Sequence, residues 1–410
     1  MFSQGGLSLD QAPPISVVLR FFITAALFGI TGGIMIVGFG VDIFEPSTTP
    51  ARILTHVLAL GVMASFMLGA LFQMLPVIAG VVLQTPTQKA MFVHVTFTMG
   101  VVMLVMAFWT SQSLFYLLSA LLLGTSLLFT TLIMISNLLK LKSHSSSSKG
   151  MLFALGGFSI TILLGITLLS ILGGYHDSSH YLTIKETHYS FGLFGWVALL
   201  IMSISFQVIE MFYVTPPYPS WIQKTLIMII FFLLPFASLP FVPIMIGVLF
   251  IVYAGFTLHR LSKRKRPTSD ATVWFWRFGM GMLIVSMLLM SSGVESLKPL
   301  NYITFIFFAL SIVFAMVYKI VPFLVWFHLS NQGYMKAPLM FDIVHPKEIK
   351  QHFYLHVMTF VVFVLSIMIK GVIMIAGLLT IASFGLLLYR LLRAVKKYYY
   401  TQKHTQKMTW

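Results

Sequence analysis

Apolar runs long enough to cross a lipid bilayer recur along nearly the whole chain, and no soluble fold can bury them all. They fall at roughly 15–41, 52–82, 89–111, 113–139, 151–174, 187–214, 222–240, 242–261, 272–292, 300–328, 352–369 and 371–394, each close to the ~20 helical residues that ~30 Å of hydrocarbon requires. The expected fold is therefore all-α, a polytopic membrane protein of about twelve transmembrane helices that forms a single transmembrane domain over 1–410. Composition agrees. Charged residues make up 9% and hydrophobic residues 58% of the chain, whereas soluble domains carry about 25% charge.

The formal net charge of +16 would suggest a nucleic-acid partner in a soluble protein, but its placement gives another explanation. With both termini cytoplasmic, that side receives Lys89, Lys140, Lys142, Lys149, the cluster from Arg260 to Arg266 and the basic C-terminal tail. The opposite side receives only Arg52, Lys185, Lys298 and Lys370. This positive-inside bias orients an even number of spans. The lipid bilayer is the partner that it implies, and nucleic acid is not needed. The opening stretch MFSQGGLSLDQAPP lacks the basic region and cleavage site of a signal peptide, so the first apolar run is expected to be retained. With no cysteine in the chain, metal ligation falls to His, Met and carboxylates. The 26 methionines are spread over nearly all the spans and read as core filling.

Three spans look alike. THVLALGVMASFMLGALFQMLPVIAG begins at Thr55, HYSFGLFGWVALLIMSISFQVIEMF at His188 and NYITFIFFALSIVFAMVYKIVPF at Asn301. Phe72-Gln73, Phe206-Gln207 and Tyr318-Lys319 correspond, followed by Pro76, Glu210 and Pro322. The match suggests a pseudo-threefold repeat. It sets His56 and His188 at equivalent places, with a shift of two residues, and the third copy has no histidine there.

Ionisable groups inside a membrane are costly and need a partner or a task. His56 and His188 stand toward the outer face. They suit axial ligation of a haem or binding of copper, or are boundary histidines bonded to water or a carbonyl. Gln73, His94, Gln207, Glu210, Lys319 and His356 stand nearer the cytoplasm. They form either a proton path or an ion pair, Glu210 with Lys319. In the loop GGYHDSSHYLTIKETH, His176 and His180 are spaced to share a metal with His188, or are solvated histidines of an exposed loop. No catalytic residue is assigned.

Twelve spans, a threefold repeat, a histidine in helix two and another in helix six resemble subunit I of the haem-copper oxidases. The closer similarity is to their short NnrS-like relatives of nitric-oxide metabolism. The resemblance implies a bacterial inner-membrane protein with a low-spin haem b on His56 and copper on His188. It also implies respiratory-chain or assembly partners. An oxidase also needs adjacent histidines in helix seven and an HxH in helix ten. WIQKTLIMIIFFLLPFASLPF has no histidine and helix ten has only His328, at its end. Oxygen reduction is therefore not expected. The other expectation is a protein with no cofactor, a secondary transporter or proton channel. Oligomeric state is not encoded in these features.

Overall fold

A computed structural model describes residues 12–81, 83–265 and 268–407. The opening residues 1–11 and Arg266 of the basic cluster lie outside the described residues. Helices in chain order are α1 (Ile15–Phe39), α2 (Thr49–His56), α3 (Ser65–Ala79), α4 (Pro86–Thr110), α5 (Ser113–Leu139), α6 (Ser146–Leu172), α7 (Tyr181–Ser190) and α8 (Leu199–Tyr213). They continue with α9 (Ile227–Leu233), α10 (Val242–Ser262), α11 (Ala271–Ser292), α12 (Lys298–Asn331), α13 (Met340–Ile343), α14 (Pro346–Met368) and α15 (Ile373–His404). The described residues contain no strand.

Eleven described helices are long and apolar enough to cross a membrane, so the chain is an all-α, multi-pass membrane protein. The seventh apolar run is the exception. Its helical part, Ile222–Phe236, is a short apolar helix in which a π turn, α9 and a 3-10 turn follow one another. Pro235 lies in that last turn and Pro240 beyond it, and proline cannot continue a helix inward.

The described chain divides into two compact units, one of residues 71–265 and 280–305, the other of 13–70, 268–279 and 306–407. In the first, α6 approaches the segment Phe191–Ala198 so closely that a Cβ at Gly157 would lie 2.4 Å from the backbone oxygen of Gly195. Beside that crossing Phe158 stacks on Trp196 with ring centres 4.1 Å apart. In the second, α1 meets α15, where a Cβ at Gly33 would lie 2.8 Å from the backbone nitrogen of Ile381. Small residues at such crossings let helices approach where lipid offers no hydrophobic drive.

The first two repeats share an unusual backbone. Val57–Ala64 and Phe191–Ala198 are each π-helical over 8 residues, and each runs into an α-helix of 15 residues, α3 or α8. The wide turn is visible in the bonds from Ser65 N to Leu60 O and from Leu199 N to Phe194 O. Gly61 and Gly195 occupy the same place in the two π segments. The two-residue shift is absorbed upstream, where α2 has 8 residues and α7 has 10. The third copy, α12, is an uninterrupted α-helix of 34 residues without glycine, and Phe307 stands where the others have it.

Gly157→Ala should destabilise the detergent-solubilised protein by about 1–3 kcal/mol, as overpacking against backbone does. Gly156→Ala, whose Cβ would meet only Phe231 at 3.8 Å, should be neutral or stabilise by about 0.5–1 kcal/mol. Thermal unfolding of the two variants checks the contrast.

Candidate functional site

His56 ends α2, immediately before its π segment. Its Nδ1 lies 2.8 Å from the carbonyl oxygen of Arg52. A carbonyl only accepts, so Nδ1 carries the proton and the lone pair of the neutral ring is on Nε2. His188 repeats the arrangement with a different partner. Its Nδ1 lies 3.0 Å from the carbonyl oxygen of Thr161 on α6, which again leaves the lone pair on Nε2. Both rings are partly buried.

The three-histidine metal set is not assembled. His176 is exposed and its Nδ1 is 2.6 Å from Ser170 Oγ, while His180 is exposed at the start of α7. Asp177 beside them bonds within its own loop. The Ser179 hydroxyl, then the backbone of Ser179 and Ser178, hold its carboxyl below the ordinary range. Among the described residues no three His, Asp or Glu side chains form a group able to hold a metal. The physical reason is direction. The His188 ring is turned back to α6, while the other two follow a solvated turn that begins at Gly173 and Gly174.

The expected pairing of Glu210 with Lys319 is also corrected. Lys319 Nζ is 2.5 Å from Asp270 Oδ2, with side chains 21% and 24% exposed. Glu210 instead accepts from the backbone nitrogen of Tyr218 at 3.2 Å. That bond holds the chain where it turns back after α8. The Tyr218 hydroxyl is 3.0 Å from Thr257 Oγ1, and burial first, then nearby Tyr253, pushes its phenol well above the ordinary value. Gln207 and His94 are partly buried on α8 and α4. Gln73 is buried, and its Oε1 has no hydrogen-bond partner among the described residues.

His356 belongs to a larger buried network in the unit containing residues 306–407. Arg390 Nη1 donates to the Tyr318 hydroxyl at 2.6 Å, and that hydroxyl is 2.6 Å from His352 Nδ1. Because Tyr318 accepts from Arg390, its own proton points to His352. The Nε2–H of His352 is then the donor to Ser383 Oγ at 2.8 Å. One turn along α14, His356 Nε2 is 2.8 Å from Ser311 Oγ, whose proton goes to the carbonyl of Phe307. His352, His356 and Arg390 are fully or almost fully buried. Phe314 and Phe307 lie 4.7 Å and 4.8 Å from the two imidazoles, centre to centre. Above this layer Arg393 Nη1 meets Glu348 Oε1 at 2.6 Å.

His352, Arg390, Ser311, Ser383 and Asp270 were not among the expected site residues. His352 was legible as the i−4 neighbour of His356 in HFYLHVM, since that spacing puts both on one helical face. Arg390 lies within the run 371–394 and was not singled out there, because sequence does not tell a buried arginine of α15 from the exposed lysines after it. No protein-family model matches the chain, and a search of curated proteins returns no match.

Burial alone would raise the Asp270 carboxyl, but the charge and hydrogen bond of Lys319 and the bonds from Thr272 outweigh it and hold the pKa below the ordinary value. The pair therefore stabilises the protein fully above the unfolded carboxylate pKa of about 4, and its contribution fades as pH falls through the lowered folded value. Asp270→Asn should cost about 2–3 kcal/mol near neutral pH. Combining it with Lys319→Met should recover part of that loss, and equal losses in the single and double variants would contradict the coupling.

Proposed function

We propose that this chain is a multi-pass membrane protein that ligates a haem b through His56 and serves respiratory or nitric-oxide-linked metabolism as a binder, sensor or assembly factor rather than an oxygen reductase. The observation that supports it most is the state of the His56 ring. Its Nδ1–H is committed to the Arg52 carbonyl, the bond that metal-ligating histidines ordinarily make with their other nitrogen. That bond fixes the ring plane and makes Nε2 more basic. The π segment that follows at once is a backbone form often found at functional sites.

The donor chemistry fits a haem with one protein-derived axial imidazole. It does not fit copper on His176, His180 and His188, which do not converge. When bound, the haem would supply a centre for electron transfer or for a small gaseous ligand. The chain's own part is to orient the His56 imidazole and keep its Nε2 unprotonated. The link to respiratory or nitric-oxide chemistry rests on the similarity to NnrS-like proteins.

A second reading, a proton or solute transporter without cofactor, has its own support. Glu348, His352 and His356 recur every four residues on α14. They pass from a 24% exposed carboxylate to imidazoles that are 0% and 2% exposed. They span about 12 Å at 1.5 Å per residue.

Protein purified from haem-replete cells should show a Soret band that shifts on reduction. His56→Ala should abolish it, while His188→Ala should retain it. A colourless preparation overturns the haem proposal, and a colourless protein that collapses a pH gradient across liposomes selects the transporter.

A further inference from the structure

The unit of residues 71–265 and 280–305 contains a cavity of about 240 Å³ beside Gly293, room for about eight waters at ~30 Å³ each or one small organic molecule. It opens where the seventh apolar run is short. The chain leaves the short helix at Phe236 and turns, and Ala237, Pro243 and Ile246 wall the cavity.

The lining is mostly apolar, with Leu289, Met290 and Phe305 among its walls, but its polar groups are specific. Buried Ser286 donates to Asn301 Oδ1 at 2.6 Å. The carbonyl of that amide is thereby used, and its N–H groups are the donors that remain. At the mouth Lys298 is paired with Glu295 at 2.6 Å, so the rim carries no net charge from them. Tyr189 and Tyr302 also line the cavity. A neutral rim, donors inside and an apolar wall select a neutral molecule that brings an acceptor.

We propose that this cavity binds a neutral amphiphile with a carbonyl oxygen, the carbonyl on the Asn301 amide and the apolar body against Leu289, Met290 and Phe305. The ester carbonyl of a bilayer lipid and a free membrane-soluble ketone share this chemistry.

Benzophenone provides the test, because its carbonyl accepts a hydrogen bond and its photoexcited state captures nearby C–H groups. Illuminating the full-length protein in nanodiscs with benzophenone should give a saturable adduct on the peptide containing Met290. Asn301→Leu should weaken the half-saturating concentration about tenfold, the worth of one good hydrogen bond. Leu289→Trp fills the cavity and leaves the Ser286–Asn301 bond intact. It should abolish the adduct, and it decides the matter should Asn301→Leu fail to fold. Labelling that never saturates, or that a folded Leu289→Trp variant leaves unchanged, overturns the site. Repeating the titration in ether-lipid nanodiscs identifies the source. Tighter labelling there supports lipid esters as the occupant, and unchanged labelling supports a free ketone.

Discussion

Hydrocarbon supplies no hydrogen bonds, so each polar atom that this chain takes into the membrane must be satisfied from within or left to meet a ligand. That constraint separates four of its histidines into two kinds. His352 and His356 donate from Nε2, to Ser383 and Ser311, and His352 also accepts on Nδ1 from Tyr318. His56 and His188 do the opposite and commit Nδ1–H to carbonyls. A buried imidazole held at both nitrogens contributes order and specificity to the core. One whose Nδ1–H is committed to a carbonyl carries its basic lone pair on Nε2.

The backbone follows the same division. The two eight-residue π segments occur in the repeats that carry a histidine, each with a glycine at the same place, and the third repeat has a regular helix with Phe307 there. Phe307 in turn packs on His356 and takes the Ser311 proton on its carbonyl. The third copy is thus built as core where the first two are opened. Arg390 fits this view. It is almost fully buried, and it is held through Tyr318 by a hydrogen bond and by the ring face, 5.5 Å from the guanidinium. A buried cation of this kind is costly unless such bonds surround it.

Much of the fold was legible because hydrophobic length is a local property. The run read as 113–139 is the helix Ser113–Leu139, and the run read as 272–292 differs by one residue from Ala271–Ser292. The seventh run was overestimated because its prolines end the helix, while hydropathy continues past Pro240. Pairings were less legible. Lys319 had been matched to Glu210 because each charge would be costly alone at that depth, yet its partner Asp270 comes from the loop that follows the basic cluster. Periodicity tells which face a residue occupies and not what another element sets opposite it. The close approach of α6 to Gly195 and the Arg390–Tyr318–His352 chain were hidden for that reason.

The division of the histidines is the central claim, and nitrogen-15 NMR of the histidine-labelled protein in nanodiscs reads it directly. Assigned through single His→Gln variants at neutral pH, His56 and His188 should be protonated on Nδ1, and His352 and His356 should be protonated on Nε2. Finding His56 protonated on Nε2 alone would contradict the account.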